Sequence, residues 1–384
     1  MKIRILHLSD SSLPDWRIEK AAISSKNRGY DVYFAGKQVS SNHRSIFDNH
    51  FEIQWTSRSR NKFPIYWYNL KKHMKKIIDE VKPDIIHAHN IFSAKMAKEI
   101  DKYSVVYDNH EYWSVYLKRQ LESGVFNHNT ENISNIKSKV AVSKNRFRNF
   151  LKSRYVRVWT NLEEDLVSST PTITVSNTIA ADLKKMGKKI YVVPNFPLRD
   201  EVNWIPKPEF HHCKSSVYAG VEPTGAVKSA HRNLEGFIDL FSNKDIGELF
   251  ILGWSNNKSS TPNVQYLGFL SRTEMYKQMQ KHSIGIVPFR PHWSHVFISP
   301  NKAYEYAHAG LFVISSNGFI PVFDTLQDNC IAFTDYTDLQ AKLRYLFEDM
   351  EDLYHKRVKT YEFARSNLLW ENYENNIFEA YKQA

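Results

Sequence analysis

Cysteine is nearly absent from this chain of 384 residues, which contains only Cys213 and Cys330. Two isolated cysteines exclude a disulfide framework and a cysteine-rich zinc site, and they are typical of a reducing compartment. Apolar runs are short, and none approaches the roughly 20 residues that a membrane-spanning helix requires. The first residues pass directly into a strand pattern, without the apolar core of a signal peptide. We therefore expect a cytoplasmic protein.

Several nucleotide-binding and metal-binding signatures are also missing. The sequence has no G-x-G-x-x-G after the first predicted strand, no G-x-x-x-x-G-K-[ST] and no H-E-x-x-H. These absences disfavour a dehydrogenase, a P-loop NTPase and a zinc hydrolase. His87, His89 and His110 could be metal ligands. However, His87 and His89 alternate on one predicted strand, and we expect them to point to opposite faces, so the sequence predicts no metal site.

Positive charge is plentiful, with a formal net charge of +11, and much of it lies in two tracts of the first half. Residues 58–76 contain seven Lys/Arg interleaved with aromatic residues, and residues 137–157 contain eight Lys/Arg and no acid. Such tracts suit an anionic membrane surface, a phosphorylated lipid or nucleic acid. A solvated basic face without any partner is the alternative.

Short apolar runs alternate with helical stretches along most of the chain, which predicts parallel sheets with crossover helices. The predicted strands are 3–8, 31–35, 85–88, 105–107, 172–175, 217–219, 249–252, 264–266, 284–287, 312–315 and 331–333. The predicted helices are 17–28, 67–81, 93–101, 234–241, 272–281, 301–309 and 338–350. A Pro-rich stretch from Pro194 to Pro208 predicts an interdomain linker. The expected fold is α/β, with two Rossmann-like doubly wound domains facing a cleft that binds ligands.

The segment from Ser299 to Ile314 has the most specific pattern, since it predicts a loop, a helix, a glycine cap and a buried strand. Pro300 suits the start of the helix, and Gly310 suits a left-handed cap at its end. Lys302 and Glu305 are three residues apart and share a helical face. A cation and a carboxylate near a helix N-terminus can bind phosphates and sugar hydroxyls. A simple surface ion pair is the alternative.

Several motifs resemble those of the retaining "group 1" glycosyltransferases, which have the GT-B fold. The main match is Pro300-Asn301-Lys302-Ala303-Tyr304-Glu305-Tyr306 followed by Ala307-His308-Ala309-Gly310, which resembles the family's P-x-K-x-x-E-Y and A-x-G. Weaker matches are 218–220, 232–236, 264–270, 285–288, 84–89, 106–111 and the final helix at 370–381. The resemblance implies an N-terminal acceptor-side domain (1–195), a linker (196–210), a nucleotide-sugar domain (211–365) and a C-terminal helix (366–384) that crosses back.

The resemblance also implies roles for individual residues. Glu305 would hold the ribose hydroxyls, Arg232 and Lys302 would neutralise the donor diphosphate, and His110 would contact the transferred sugar. Lys228 is a weaker candidate for a second cation. The remaining donor-binding candidates are Asn301, Pro300, Ser299 and Gly220. Alternatives are a solvated Arg232 and a His110 that belongs to the core.

Two departures from the family pattern affect the donor and acceptor sites. The position of the first glutamate of the family's Glu-x7-Glu pair is Phe297, and His295 or a backbone amide of 297–299 would have to replace it. The glycine-rich loop after the first strand is replaced by residues 11–17. Asp15 and Arg17 in that loop are candidate acceptor-side contacts.

The function implied is transfer of a sugar from a UDP- or GDP-linked donor to a glycan or lipid-linked acceptor, with retention, without a metal or other cofactor, in polysaccharide or glycoconjugate biosynthesis. Peripheral association with an anionic membrane is expected, and nucleic acid is not an expected partner. A nucleotide-sugar epimerase or phosphorylase, a non-catalytic subunit of the same fold and a nucleic-acid-binding protein are the alternatives. The donor base and sugar, the acceptor, the linkage and the oligomeric state do not follow from the sequence.

Overall fold

The computed structural model describes residues 2–40, 46–56, 64–100, 103–122, 138–221, 230–255 and 261–384. The chain divides into two compact units. The first unit comprises Met1–Lys118, Glu131–Asn195 and Trp370–Ala384, and the second comprises Arg119–Thr130 and Phe196–Leu369. Each unit is built around its own parallel sheet.

The first unit contains a seven-stranded sheet in the order β3-β2-β1-β4-β5-β6-β7, and every pair is parallel. Its strands are β1 (Arg4–Ser9), β2 (Asp31–Gly36), β3 (Asn49–Glu52), β4 (Ile85–His89), β5 (Ser104–Asn109), β6 (Thr172–Thr174) and β7 (Ile190–Val192). All five residues of β4 are buried. Continuous burial is expected of a central parallel strand that is covered on both faces.

The helices of the first unit cover this sheet and follow its strands. They are α1 (Trp16–Asn27), α2 (Pro64–Val81), α3 (Asn90–Ile100), α4 (Trp113–Glu122, of which the residues up to Lys118 belong to this unit), α5 (Ser138–Ser169), α6 (Asn177–Leu183) and the C-terminal helix α13 (Asn375–Lys382). Indole Nε1 of Trp370 donates a hydrogen bond to Ser24 Oγ at 2.8 Å, and Ser24 Oγ donates to Glu374 Oε2 at 2.6 Å. These bonds attach the end of the chain to helix α1.

The second unit contains a six-stranded parallel sheet in the order β10-β9-β8-β11-β12-β13. Its strands are β8 (Ser215–Ala219), β9 (Glu248–Leu252), β10 (Val264–Tyr266), β11 (Ile284–Val287), β12 (Phe312–Ser316) and β13 (Cys330–Phe333). Its helices are α7 (Arg199–Val202), α8 (Arg272–Met279), α9 (Asn301–His308), α10 (Ile320–Leu326), α11 (Tyr336–Glu348) and α12 (Met350–Asn367). Two parallel doubly wound sheets confirm the predicted fold class.

The helices and strands predicted from the sequence differ from the observed ones in two ways: one predicted helix is replaced by turns, and several observed elements were not predicted. The helix predicted over 234–241 is wrong, because that segment forms turns and a short 3-10 helix at Asp239–Ser242. Gly236 lies there at a φ of 83°, which interrupts an α-helix. The edge strands β3 and β7 and the helices α4, α5, α6, α7, α10 and α12 were not predicted. Among the described helices, none is both long enough and apolar enough to cross a bilayer.

Candidate functional site

The strand order of the first unit reverses between β1 and β4, which pair in register from Ile5–Ile85 to Ser9–His89. Ligands in open parallel sheets bind at the carboxyl ends of strands at such a reversal. Asn90 follows β4 with a left-handed φ of 70°, and its amide donates a hydrogen bond to the Asp10 carboxylate at the end of β1. The reversal point is therefore lined by polar side chains.

Asp108, near the end of β5, is the centre of a buried ionic cluster. Arg17 forms a bidentate ion pair with it: Nε donates to Oδ2 at 2.8 Å and Nη2 donates to Oδ1 at 2.7 Å. Arg17 Nη1 also donates a hydrogen bond to the carbonyl of Val193 at 3.0 Å. Burial would raise the pKa of Asp108, but the Arg17 guanidinium and neighbouring imidazoles hold it well below its usual range. Asp108 is therefore a carboxylate.

Three histidines from neighbouring strands lie stacked against this carboxylate. The rings of His87 and His89 are 4.4 Å apart and nearly parallel, and the ring of His7 is 5.3 Å from that of His89. His89 Nδ1 is 3.1 Å from Asp108 Oδ2, and His7 Nδ1 is 3.0 Å from His89 Nε2. The expectation that His87 and His89 point to opposite faces is wrong, because residues two apart on a strand share a face.

The same histidines lie close enough together to be considered as metal ligands, since the ligand atoms of His7, His87 and His89 are all within 4.8 Å of one another. A metal ion must lie in the plane of each imidazole that binds it. Nearly parallel, stacked rings do not direct their lone pairs to one point, and the Arg17 guanidinium nearby would repel a cation. We therefore treat the cluster as a hydrogen-bonded group and not as a metal site.

His110 lies just beyond the end of β5, with a fifth of its side chain exposed. Its Nδ1 is 3.8 Å from Asp108 Oδ2. Burial favours the neutral imidazole, but Asp108 reverses this effect and the pKa of His110 is raised. This is the one partly exposed member of the cluster, so it can reach a ligand while the other members cannot.

The loop that carries His110 is held from the other side by Glu163 of α5, a residue that the sequence analysis did not single out. Its carboxylate accepts hydrogen bonds from the backbone N–H of Trp113 at 2.9 Å, the backbone N–H of Ser114 at 2.8 Å and the amide of Asn109 at 3.0 Å. It therefore caps the N-terminus of α4. A buried glutamate in a long helix gives no sequence signal that distinguishes it from a solvated one.

In the second unit the strand order reverses between β8 and β11. Lys302, in the first turn of α9, lies at this reversal: its Nζ is 4.3 Å from the centre of the Tyr218 ring and 5.0 Å from that of Phe289. Tyr218 belongs to β8 and Phe289 follows β11, so both strands contribute to the surroundings of the ammonium group. Gly220 leaves room there, since a Cβ at this residue would lie 2.8 Å from Lys302 Nζ.

The charged residues predicted to bind the donor nucleotide lie close enough together to influence one another's charge. Burial and, more weakly, the positive charge of Arg232 lower the pKa of Lys302 to about 7, and the negative charge of Glu305 opposes part of this shift. Arg232 is exposed at the end of the 3-10 helix Ala230–Arg232. Three of the predicted residues are therefore near neighbours. Lys228 lies outside the described residues.

Glu305 has a partner that the sequence analysis missed. Arg272, the first residue of α8, donates a hydrogen bond from Nη1 to Glu305 Oε1 at 3.0 Å. Both side chains are partly exposed. The sequence contained no signal for this pair, because the two residues are 33 positions apart and belong to different helices.

The loop before α9 presents the remaining candidates. Pro300 occupies the N-cap position and Asn301 is exposed at the first helical position. Ser299 Oγ lies 2.8 Å from the hydroxyl of Tyr304, so its side chain is directed back onto the helix. At the other end Gly310 has a φ of 74°, which confirms the predicted left-handed cap.

His295, Arg17 and Asp15, the candidates at the two positions where the sequence departs from the family pattern, make contacts within the protein. His295 is fully buried and its Nε2 bonds the carbonyl of His231 at 2.8 Å, so its side chain is inaccessible. Arg17 is buried in the ion pair with Asp108, and its predicted role as an acceptor-side contact is therefore wrong. Asp15 caps α1, accepting hydrogen bonds from the backbone N–H groups of Arg17 and Ile18.

Comparison with known proteins supports the fold and the activity. Residues 24–196 match the model of Glycosyltransferase Family 4. Sucrose-phosphate synthase from Thermosynechococcus elongatus aligns with 100% of this chain and 99% of its own, at 12% identity and a TM-score of 0.67. A glycosyltransferase from Rickettsia africae aligns over 100% and 98%, at 14% identity and a TM-score of 0.64. HepE from Anabaena, solved with UDP, aligns over 100% of both chains, at 12% identity and a TM-score of 0.61. No curated protein matches the chain significantly.

At these identities the structural likeness establishes the fold, which is GT-B over the whole chain. Together with the family match over residues 24–196, this fold indicates a glycosyltransferase.

Proposed function

We propose that the chain transfers a sugar from a UDP- or GDP-linked donor to a glycan or lipid-linked acceptor, with retention of configuration and without a metal ion at the diphosphate. The observation that carries this proposal is the position of Lys302. It lies at the strand reversal of the second unit, on the rings of Tyr218 and Phe289, and shares its electrostatic environment with Arg232 and Glu305. HepE, with the same fold, was solved with UDP and glucose, which supports a nucleotide-sugar donor.

The proposed chemistry assigns one task to each charged group. As the bond between the sugar and the diphosphate breaks, negative charge grows on the leaving phosphate, and Lys302 and Arg232 stabilise it. Glu305 accepts hydrogen bonds from the ribose hydroxyls and so fixes the donor. The leaving phosphate oxygen takes the proton of the acceptor hydroxyl on the same face. No protein nucleophile is then required.

A nucleotide-sugar panel tests the donor assignment. The melting temperature should rise with either UDP- or GDP-sugars and not with CMP-sugars, because a ligand of the native state stabilises it by mass action. Glu305→Ala and Arg232→Ala should abolish the rise or greatly reduce it, while exchange of the exposed Arg344 for Gln should not. Incubation of the donor without acceptor distinguishes an epimerase, which would convert the sugar while it stays linked to the nucleotide. A failure to bind any nucleotide would contradict the proposal and favour a non-catalytic subunit.

The acceptor proposal rests on helix α2. Ile65 and Tyr68 are 73% and 66% exposed, and exposed Lys72 and Lys75 continue the same stripe of the helix. An apolar end followed by lysines suits the surface of an anionic membrane. We therefore propose peripheral binding at the cytoplasmic face, where a lipid-linked acceptor would be located. Residues 58–63, in the same basic tract, and the side chains of 137–152 lie outside the described part of the chain.

Liposome co-sedimentation tests this surface. Binding should increase with the fraction of anionic lipid and decrease with salt. The double variant Lys72→Glu, Lys75→Glu should bind much less, and Lys277→Glu, Lys281→Glu is a matched control on an exposed face of the second unit. Equal loss in both variants would indicate a general charge effect and contradict a docking surface on α2.

A further inference from the structure

The position of Asp108 beside His110 determines which ring nitrogen of this histidine can bind a ligand. Its Nδ1 is buried, has no hydrogen-bond partner among the described residues, and lies 3.8 Å from Asp108 Oδ2. The other ring nitrogen, Nε2, is on the opposite edge of the imidazole. Because Nδ1 is the nitrogen next to the carboxylate, Nε2 is the one left for a ligand.

Asp108 is held rigidly enough to impose this orientation. Arg17 donates three hydrogen bonds to it, and His89 lies 3.1 Å from the same Oδ2 that is near His110. Arg17 in turn is stacked over the Trp370 ring at 5.7 Å and bonded to the Val193 carbonyl. A carboxylate with so many contacts cannot rotate away from His110.

The other charged groups around His110 do not cancel the effect of Asp108 on the charge of the imidazole. Burial and the Arg17 guanidinium favour the neutral ring, whereas Asp108 and, more weakly, Asp15 favour the charged one. His87 and His89, which also contact Asp108, have pKa values lowered by burial and so remain neutral. His110 alone in this cluster has its pKa raised.

We propose that Asp108, held by Arg17, is a positioning residue that keeps His110 as an imidazolium with Nε2 directed outward. His110 then donates a charged hydrogen bond to an oxygen of the donor sugar or the acceptor, and it is not the base that deprotonates the acceptor. This inference rests on the proposed glycosyl transfer. It agrees with a reaction in which the acceptor O–H proton passes to the phosphate oxygen as the sugar–phosphate bond breaks and the glycosidic bond forms.

Histidine NMR tests the positioning role without requiring activity. His110→Gln assigns the signal, and the wild-type ring should titrate above the ordinary value of 6.5. In Asp108→Asn the His110 pKa should fall by about one unit or more, since loss of an adjacent opposite charge removes that support. A wild-type pKa at or below 6.5, or an unchanged pKa in the variant, would overturn the proposal.

Asp108→Asn leaves the buried Arg17 without its counter-charge and can impair folding. The double variant Asp108→Asn, Arg17→Met removes both charges and should give the same lowered His110 pKa. Thermal melts identify which variants are folded. If neither variant folds, the wild-type titration still decides whether His110 is charged.

The pH profile of transfer provides the functional test. If transfer needs the imidazolium, activity falls as the pH rises through the His110 pKa, which gives the profile a descending limb on the alkaline side. Asp108→Asn should move this limb to lower pH. The profile is best measured in a Lys302→Arg background, because Lys302 also loses its charge near pH 7. His110→Gln should lower kcat more than it raises KM and should abolish the limb. A limb on the acid side, with activity rising as His110 deprotonates, would show that His110 acts as a base and contradict the proposal. If no donor supports transfer but the His110 pKa is raised, the proposed glycosyl transfer is overturned and the positioning role of Asp108 is not.

Discussion

Arg272 and Glu305 form a hydrogen-bonded ion pair, with Arg272 Nη1 donating to Glu305 Oε1 at 3.0 Å. This bond is made to Oε1, and we expect a nucleotide ribose to bind the second oxygen, Oε2. Arg272 also donates from Nη2 to the Tyr276 hydroxyl at 3.4 Å, and Tyr276 is fully buried. The orientation of Glu305 is thus fixed by a side chain that is itself held by the core.

Exchange of Arg272 for Met should weaken binding of the donor nucleotide by roughly tenfold, about 1.4 kcal/mol. The expected cause is loss of the orientation of Glu305, because the carboxylate then has no partner before the ribose arrives. Isothermal titration calorimetry with the nucleoside diphosphate measures the effect. In a Glu305→Ala background the same exchange should have little further effect, since the two residues act as one unit. Additive losses would contradict this coupling.

Binding of a nucleoside diphosphate should depend on pH through Lys302. Burial lowers its pKa to about 7, so the free protein loses this charge as the pH rises above neutrality. A bound diphosphate favours the charged ammonium and raises its pKa, and binding therefore takes up protons. Affinity should fall between about pH 6 and about pH 9. Calorimetry in buffers of different ionisation enthalpy detects the proton uptake.

Lys302→Arg is the matched variant for this pH dependence, since arginine stays charged in the whole range. Its affinity should be nearly constant with pH, whatever its absolute value. A wild-type affinity as flat as that of the arginine variant would show that Lys302 does not contact the phosphates.

The fold was more predictable from the sequence than the site was. Buried parallel strands such as Ile284–Val287 appear as continuous apolar runs, and the sequence placed this strand at its observed bounds. Edge strands bury less and lack that signal: in β3 (Asn49–Glu52) three of four residues are exposed. Helix α12 follows α11 with only Asp349 between them, and no glycine or proline marks the boundary.

The site was only partly predictable for a different reason. Lys302 and Glu305 are one helical turn apart, so local periodicity brings them together. Arg272–Glu305 and Arg17–Asp108 join residues 33 and 91 positions apart, and only the assembled sheet determines such contacts. The stacking of His87 and His89 was within reach of the sequence, since residues two apart on a strand share a face.

Gly220 and Gly253 offer a pair of substitutions with different expected effects. A Cβ at Gly220 would lie 2.6 Å from Oη and 2.8 Å from Cζ of the buried Tyr218, and 2.8 Å from Lys302 Nζ. Gly220→Ala should therefore displace Lys302 and weaken diphosphate binding. Gly253 has a φ of 93°, and its Cβ would approach the backbone of Gly220. Gly253→Ala should destabilise the protein by about 1–2 kcal/mol.

Urea unfolding and nucleotide titration of both variants separate the two effects. The reverse pattern, a destabilised Gly220→Ala with normal nucleotide affinity, would contradict the placement of Lys302 against Gly220. Normal stability in Gly253→Ala would contradict the left-handed backbone at that residue.

Exchange of Glu163 for Gln should destabilise the loop that carries His110. The carboxylate accepts from the backbone N–H groups of Trp113 and Ser114 through different oxygens. The amide of Gln has one oxygen only, so one N–H would face another donor. A buried donor without an acceptor costs about 1–3 kcal/mol. Urea-induced unfolding measures this loss, and Glu164→Gln, on the exposed side of the same helix, is the control.

The pH dependence of this loss has a definite sign. Burial raises the pKa of Glu163 above its ordinary value of 4.5, although its hydrogen bonds oppose the shift. The wild-type protein therefore gains stability from the protonated acid below pH 4.5 and loses that contribution as the pH rises through the raised pKa. The glutamine variant has no such titration. The wild-type protein should therefore exceed the glutamine variant in unfolding free energy by more on the acid side of this range. If the difference instead grows with pH, the hydrogen bonds stabilise the ionised carboxylate by more than burial destabilises it.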